Sequence, residues 1–181
     1  MAYGFSNEND EDINGQDYID YIELCFKYSQ YVSLFYEPFT AYGRPNSSGV
    51  SELKELQPYR IGCITKNDWP LTTGIPCTVC IYSCEKDVKK LFETRVNSLF
   101  EWQSYWDGCH NPQDPTFFRK DGSVFSYTSI HEGFSEVYNR EGEDVKVLAS
   151  NPKWRYFESD CQWILPQRIS EYILKRLNEY K

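Results

Sequence analysis

The chain has 181 residues, room for one domain of ordinary size, and 40% of them are hydrophobic, which is enough to build a core. Its formal charge of −8 disfavours holding nucleic acid by charge alone, and no run reaches the ~18 apolar residues of a membrane span. Aromatic residues make up 17% against a single Met, so rings carry much of the burial, and Tyr and Trp in these numbers also suit a contact surface.

The acidity is concentrated at one end. Residues 1–26 hold Glu8, Asp10, Glu11, Asp12, Asp17, Asp20 and Glu23 with no Lys or Arg, which leaves 20 acidic residues against 19 basic ones over 27–181. Residues 1–16 read as a loose acidic arm, followed by one domain over 17–181. From Asp17, a plausible helix cap, Tyr18, Ile22, Cys25 and Phe26 recur at helical spacing. YVSLFY (31–36) reads as a strand closed by Pro38, and 41–51 as a loop.

PYRIGCI (58–64) is a short strand by composition, and NDWPLTTGIP (67–76) an irregular connection. CTVCIYSC (77–84) is the strongest strand signal. The clearest helix runs from Glu85 to Trp102, with Val88, Leu91, Phe92, Val96, Leu99 and Trp102 on one stripe. After a loop over 104–115, FFRKDGSVFSYTSIHEG (117–133) gives a strand, an Asp121-Gly122 turn and a second strand, and FSEVY (134–138) extends the hairpin into a meander. A short helix over 144–150 stops at Asn151-Pro152, and a last helix runs from Pro166 to Tyr180. Tight turns between the later strands favour an antiparallel or mixed sheet with about four helices packed on one face, an α+β single domain.

Seven cysteines stand at 25, 63, 77, 80, 84, 109 and 161. The odd count and the lack of an apolar leader argue for free thiols in a reducing cytoplasm. Cys77-x-x-Cys80 has no second ligand pair at zinc spacing, so its thiols read as small apolar residues, and no metal or cofactor is expected. His110 lies in a Gly/Asn/Pro loop. His131 is the better acid–base candidate, with Glu132 able to assist only where Gly133 bends the strand. Regular alternation over 124–131 would put Phe125, Tyr127, Ser129 and His131 on one face, with Arg119 approaching from the neighbouring strand. That set suits a metal-independent ribonuclease: Arg119 on phosphate, Tyr127 stacking or donating, His131 as acid or base. No nucleophile elbow, Walker A loop or G-x-G-x-x-G run accompanies it. Trp102, Tyr105 and Trp106, beside a Pro-rich loop, read either as core plugs or as partner anchors.

The string FFRKDGSVFSYTSIHEG, with NDWP and the IYSC strand upstream, resembles a group of proteins from Gram-positive bacteria and their mobile elements that carries no assigned function; the likeness spans 58–158. In overall character (short, acidic, aromatic-rich) the chain is also similar to anti-CRISPR proteins of streptococcal mobile elements, at least one of which acts by shortening a guide RNA. That resemblance implies an inhibitor whose partner is a bacterial nuclease or CRISPR effector nucleoprotein. It transfers no active site. The expected contact residues are Asp17, Asp20 and Glu23 with Trp102, Tyr105 and Trp106. Two alternatives stand beside it: a ribonuclease acting on guide RNA through His131, Arg119, Tyr127 and Glu132, and an immunity protein that blocks a toxin.

Overall fold

The computed structural model describes residues 2–7, 11–36, 52–69, 72–103, 111–130, 132–159, 171, 173–175 and 178. Eight strands form one sheet. They are β1 (Ala2–Asn7), β2 (Tyr31–Tyr36), β3 (Arg60–Trp69), β4 (Thr72–Ser83), β5 (Gln113–Phe118), β6 (Val124–Ser129), β7 (Phe134–Tyr138) and β8 (Arg155–Ser159). Their order is β3-β4-β2-β5-β6-β7-β1-β8, and every neighbouring pair is antiparallel. The helices are α1 (Gln16–Tyr28), α2 (Lys86–Arg95) and α3 (Lys146–Ala149). The chain is a single α+β domain.

Alternation along the strands divides the core into two layers. Val32, Leu34 and Tyr36 of β2 and Cys80 and Tyr82 of β4 face α1 and α2, where Tyr18, Tyr21, Ile22, Cys25, Val88 and Phe92 close the first layer. Phe35, Val79 and Ile81 point the other way, joining Ile64, Phe118, Val124 and Tyr127 in the second. Ile173, in the helical stretch 173–175, is buried in that second layer. Helical structure therefore covers both faces of the sheet, where one face was expected. The second layer is apolar enough at Phe35, Ile81 and Phe118 to require a cover of its own.

β2, β6, β7 and α3 lie where their sequence patterns place them, and several other segments do not. Residues 2–7, expected as a loose arm, are an interior strand bonded to β7 on one side and β8 on the other. The connection expected over 67–76 is the far end of a long hairpin, with pairs running out to Trp69↔Thr72. The helix expected to reach Trp102 ends at Arg95. Leu99–Glu101 is a separate 3-10 turn, held by the Asn14↔Ser98 bridge and by Leu99 N donating to Ile13 O (2.8 Å). α1 starts at Gln16, with Gly15 at φ 58° in the cap position expected for Asp17, so Asp17 lies in the first turn. Most of the last expected helix, 166–180, lies outside the described residues.

Two of the seven cysteines are not free. Cys63 and Cys80 stand at opposed register positions of β3 and β4 and form a disulfide, with Cα atoms 4.1 Å apart, the close spacing of a non-hydrogen-bonded antiparallel pair. Cys25 and Cys84 are free thiols. No helix among the described residues is long and apolar enough to cross a membrane.

Candidate interaction surface

Residues 11–15 of the acidic segment lead into the N-terminal end of α1. Its entry is fixed by backbone bonds: Gly15 N donates to Asn97 O (2.9 Å), and the left-handed φ of Gly15 lets the chain turn directly into the helix. Asp12 Oδ1 accepts from Phe100 N (3.0 Å), pinning the segment that leads into the helix. Across from it, Asn151 starts an Asx turn in which its Oδ1 accepts from Lys153 N (2.9 Å). The turn brings Trp154 against Tyr21, the rings stacked at 5.6 Å.

Between these elements lies a cleft of about 230 Å³ lined by Asp17, Asp20, Leu148, Pro152 and Trp154, next to a shallower recess lined by Glu11, Asp12 and Lys153. Lys153 is the only cation lining either hollow among the described residues. Its Nζ donates to Asp12 O (3.0 Å) and lies 3.5 Å from Asp17 Oδ2. Asp20 accepts from Gln16 Nε2 (2.7 Å) one turn along, a bond between neutral donor and carboxylate that leaves its charge uncompensated. Glu23 is more exposed, but it pairs with Lys89 Nζ at 2.5 Å, which Glu93 shares at the same distance. Of the three helix carboxylates expected to meet a partner, Asp17 and Asp20 border the cleft and Glu23 sits apart in an ion pair with α2.

Of the aromatic half of the expected surface, the structure describes Trp102 alone. Trp102 is wholly buried, its ring 4.3 Å from Phe92, and its Nε1–H donates to Tyr18 OH (2.9 Å), which itself donates to Phe92 O (2.7 Å). It plugs the first layer and cannot anchor a partner. Burial pushes the Tyr18 hydroxyl well above its usual range, so this chain of bonds stays neutral. Tyr105 and Trp106 lie outside the described residues.

Two of the residues expected for phosphodiester cleavage, Tyr127 and Arg119, are packed into the fold. The β5–β6 register shifts between Phe117↔Ser126 and Phe118↔Val124, so Phe125 is an extra, bulged residue. It joins the first layer together with Ser126, whereas Tyr127 falls in the second with Val124. Regular alternation breaks at that point, and Phe125 and Tyr127 do not share a face. Tyr127 is 2% exposed, and its hydroxyl is held above its usual range by burial first and then by the charge of Asp114.

Arg119 is 7% exposed, with its guanidinium over the Phe125 ring at 5.1 Å. Nε and Nη2 fork onto Glu143 (2.6 and 2.7 Å), Nη1 donates to Val124 O (2.6 Å) and Nη2 to Tyr138 O (2.5 Å). Four of its five N–H groups are thus committed to holding the hairpin to the loop after β7. Glu132 is exposed, and His131 lies outside the described residues.

Sequence reasoning missed Lys153 and the Asn151–Trp154 turn as parts of the acidic end. The signal was present in Asn151-Pro152, read only as a helix stop. Comparison with known proteins finds no matching family model, no matching curated protein and no matching solved structure.

Proposed function

We propose that this protein is an inhibitor of the anti-CRISPR or immunity type, which engages a basic surface of a nuclease or nucleoprotein through the acidic end of α1. The observation that carries this reading is that Asp17 and Asp20 border one cleft, with Glu11 and Asp12 in the recess beside it, and that among the described residues Lys153 is the one cation facing either hollow. Charge complementarity of this kind steers encounter and fixes orientation more than it adds affinity. The partner surface that suits it is rich in Arg or Lys, as nucleic-acid-binding channels are.

The inhibitor reading is preferred to RNA cleavage because Arg119 and Tyr127, the phosphate-holding and stacking groups of that alternative, are packed into the fold. The test uses point changes. The native chain and an Asp17→Asn/Asp20→Asn double variant serve as baits in bacterial lysate at low salt, and any co-purifying RNA is sized on a gel. The native bait retains a basic protein or nucleoprotein that the variant loses, with the RNA full length. Equal capture by both baits overturns the reading, and shortened RNA points instead to cleavage.

A further inference from the structure

The Cys63–Cys80 disulfide stands where the β3–β4 hairpin leaves the rest of the sheet. β4 pairs with β2 only over Thr78–Ser83, so among the described residues its stretch 72–77 pairs with β3 alone. Among the described residues β3 is an edge strand. Register shifts interrupt the hairpin on both sides of the disulfide, between Arg60 and Gly62 and between Lys66 and Asp68. The regular stretch between them is short and has little to fix it: Gly62 has no side chain, and Thr65 faces Thr78 through a 3.3 Å hydroxyl contact at an exposed position. Ile64, opposite Val79, is its one buried apolar anchor in the second layer.

A one-residue slip of an edge strand carries every side chain to the other face. Here it would bring Ile64 out of the second layer. Bulges, glycine and small polar pairs specify register weakly, and the covalent link between two opposed residues specifies it absolutely. We infer that the Cys63–Cys80 disulfide is a redox-sensitive clasp that sets the register of the edge strand β3, fixed when oxidised and free to shift or open when reduced.

Access is one-sided. Cys63 is half-buried on the edge strand, while Cys80 is 3% exposed on its inner neighbour. A thiolate of the glutathione class attacks Cys63 Sγ. The S–S bond breaks, its electron pair leaves on Cys80 Sγ, and that sulfur takes a proton. A second thiolate then attacks the outer sulfur of the mixed disulfide and releases Cys63 as a thiolate, which is protonated. The balance is two small thiols oxidised to their disulfide and one protein disulfide reduced to two thiols. Cys25 and Cys84 do not intervene, because burial pushes both thiols up and keeps them protonated.

Hydrogen exchange on the unaltered protein tests the clasp, comparing the oxidised chain with the same chain held in reduced glutathione. Alkylation of the native protein reports the state of Cys63 and Cys80 in each. Reduction is expected to raise amide exchange over 60–69 on the order of tenfold or more, reversibly on reoxidation, while 113–138 is unchanged. A Cys63→Ala chain is expected to show the exchange of the reduced form without any reductant, and it removes only a half-buried group. Three results overturn the inference: free thiols at both positions under oxidising conditions, unchanged exchange over 60–69 after reduction, or a uniform rise across the whole sheet.

Discussion

Arg119 shows how a residue that looks chemical in sequence becomes structural once its donors are traced. Its fork binds Glu143, itself only 12% exposed at the side chain, and Glu143 Oε2 also accepts from Arg140 N (2.7 Å). Removing one member of a nearly buried pair strands the other charge. Arg119→Met is therefore expected to lower unfolding free energy by about 3 kcal/mol or more, read from urea denaturation. Arg119→Lys should recover only part of that loss, because an ammonium has three donors where Arg119 uses four, and no planar fork to match Glu143. Close by, Asp121 caps its own turn: Oδ1 accepts from Ser123 N (3.0 Å) and Oγ (2.6 Å), and Oδ2 from Arg140 (2.7 Å). Burial works against its charge, but Ser123 and Arg140 outweigh it and hold the carboxyl down to about 2. A lowered folded value means the contribution is present above the ordinary carboxylate range near pH 4 and is lost as pH falls towards 2. Half-exposure and screening limit it to a few tenths of a kcal/mol up to about 1 kcal/mol. Carbon-detected NMR titration of Asp121 should show the low midpoint, and Asp121→Asn should flatten acid sensitivity in that window.

The element whose role changed most is β1. AYGFSN offers one large apolar side chain, Phe5, in an acidic context, and no local pattern announces a strand there. Its order comes from neighbours on both sides: β7 pairs along one edge and β8 along the other. At Gly4 a Cβ would lie 2.0 Å from Val137 O, so the two backbones approach as only glycine allows. Gly4→Ala is expected to cost about 3 kcal/mol or more, as forced overpacking against backbone does. Among the described residues β8 has no strand neighbour other than β1, so hydrogen exchange should rise in β8 as well as β1. The strands that were legible carried their own punctuation: Pro38 after β2, and Asp121-Gly122, with Gly122 at φ 79°, between β5 and β6. What stayed hidden depended on register. The bulge at Phe125 is a property of the β5–β6 pair, and Cys63 meets Cys80 only because β3 and β4 align them. Spacing in one dimension contains neither fact. Trp102 was legible as an aromatic on the stripe expected over 85–102, and its burial follows from the Tyr18 and Phe92 partners that α1 and α2 bring to it.

At the scale of the molecule, the acidity and the fold are coupled. The seven carboxylates of residues 1–26 lie on a segment that supplies both an interior strand and the helix spanning the first layer, so removing the segment would remove the sheet's continuity together with its charge. Loss of binding in a truncated chain would say nothing about electrostatics. Substitution at the cleft separates the two effects, because Asp17 and Asp20 are partly exposed and neither side chain bonds to the backbone of another element among the contacts described. The remaining chain is nearly neutral, so the field of this protein should be that of one negative pole, screened over ~10 Å at 0.1 M salt. Association with a basic partner is accordingly expected to slow steeply as salt rises, with dissociation changing less. In Asp17→Asn/Asp20→Asn, which removes two of the seven carboxylates, the slope of log association rate against ionic strength should become measurably shallower, while the melting temperature stays near the native value. Stopped-flow or surface-based kinetics over a salt series measures the slope. A native association rate indifferent to salt would remove the pole from the account of binding, and an unchanged slope in the variant would place it elsewhere on the surface.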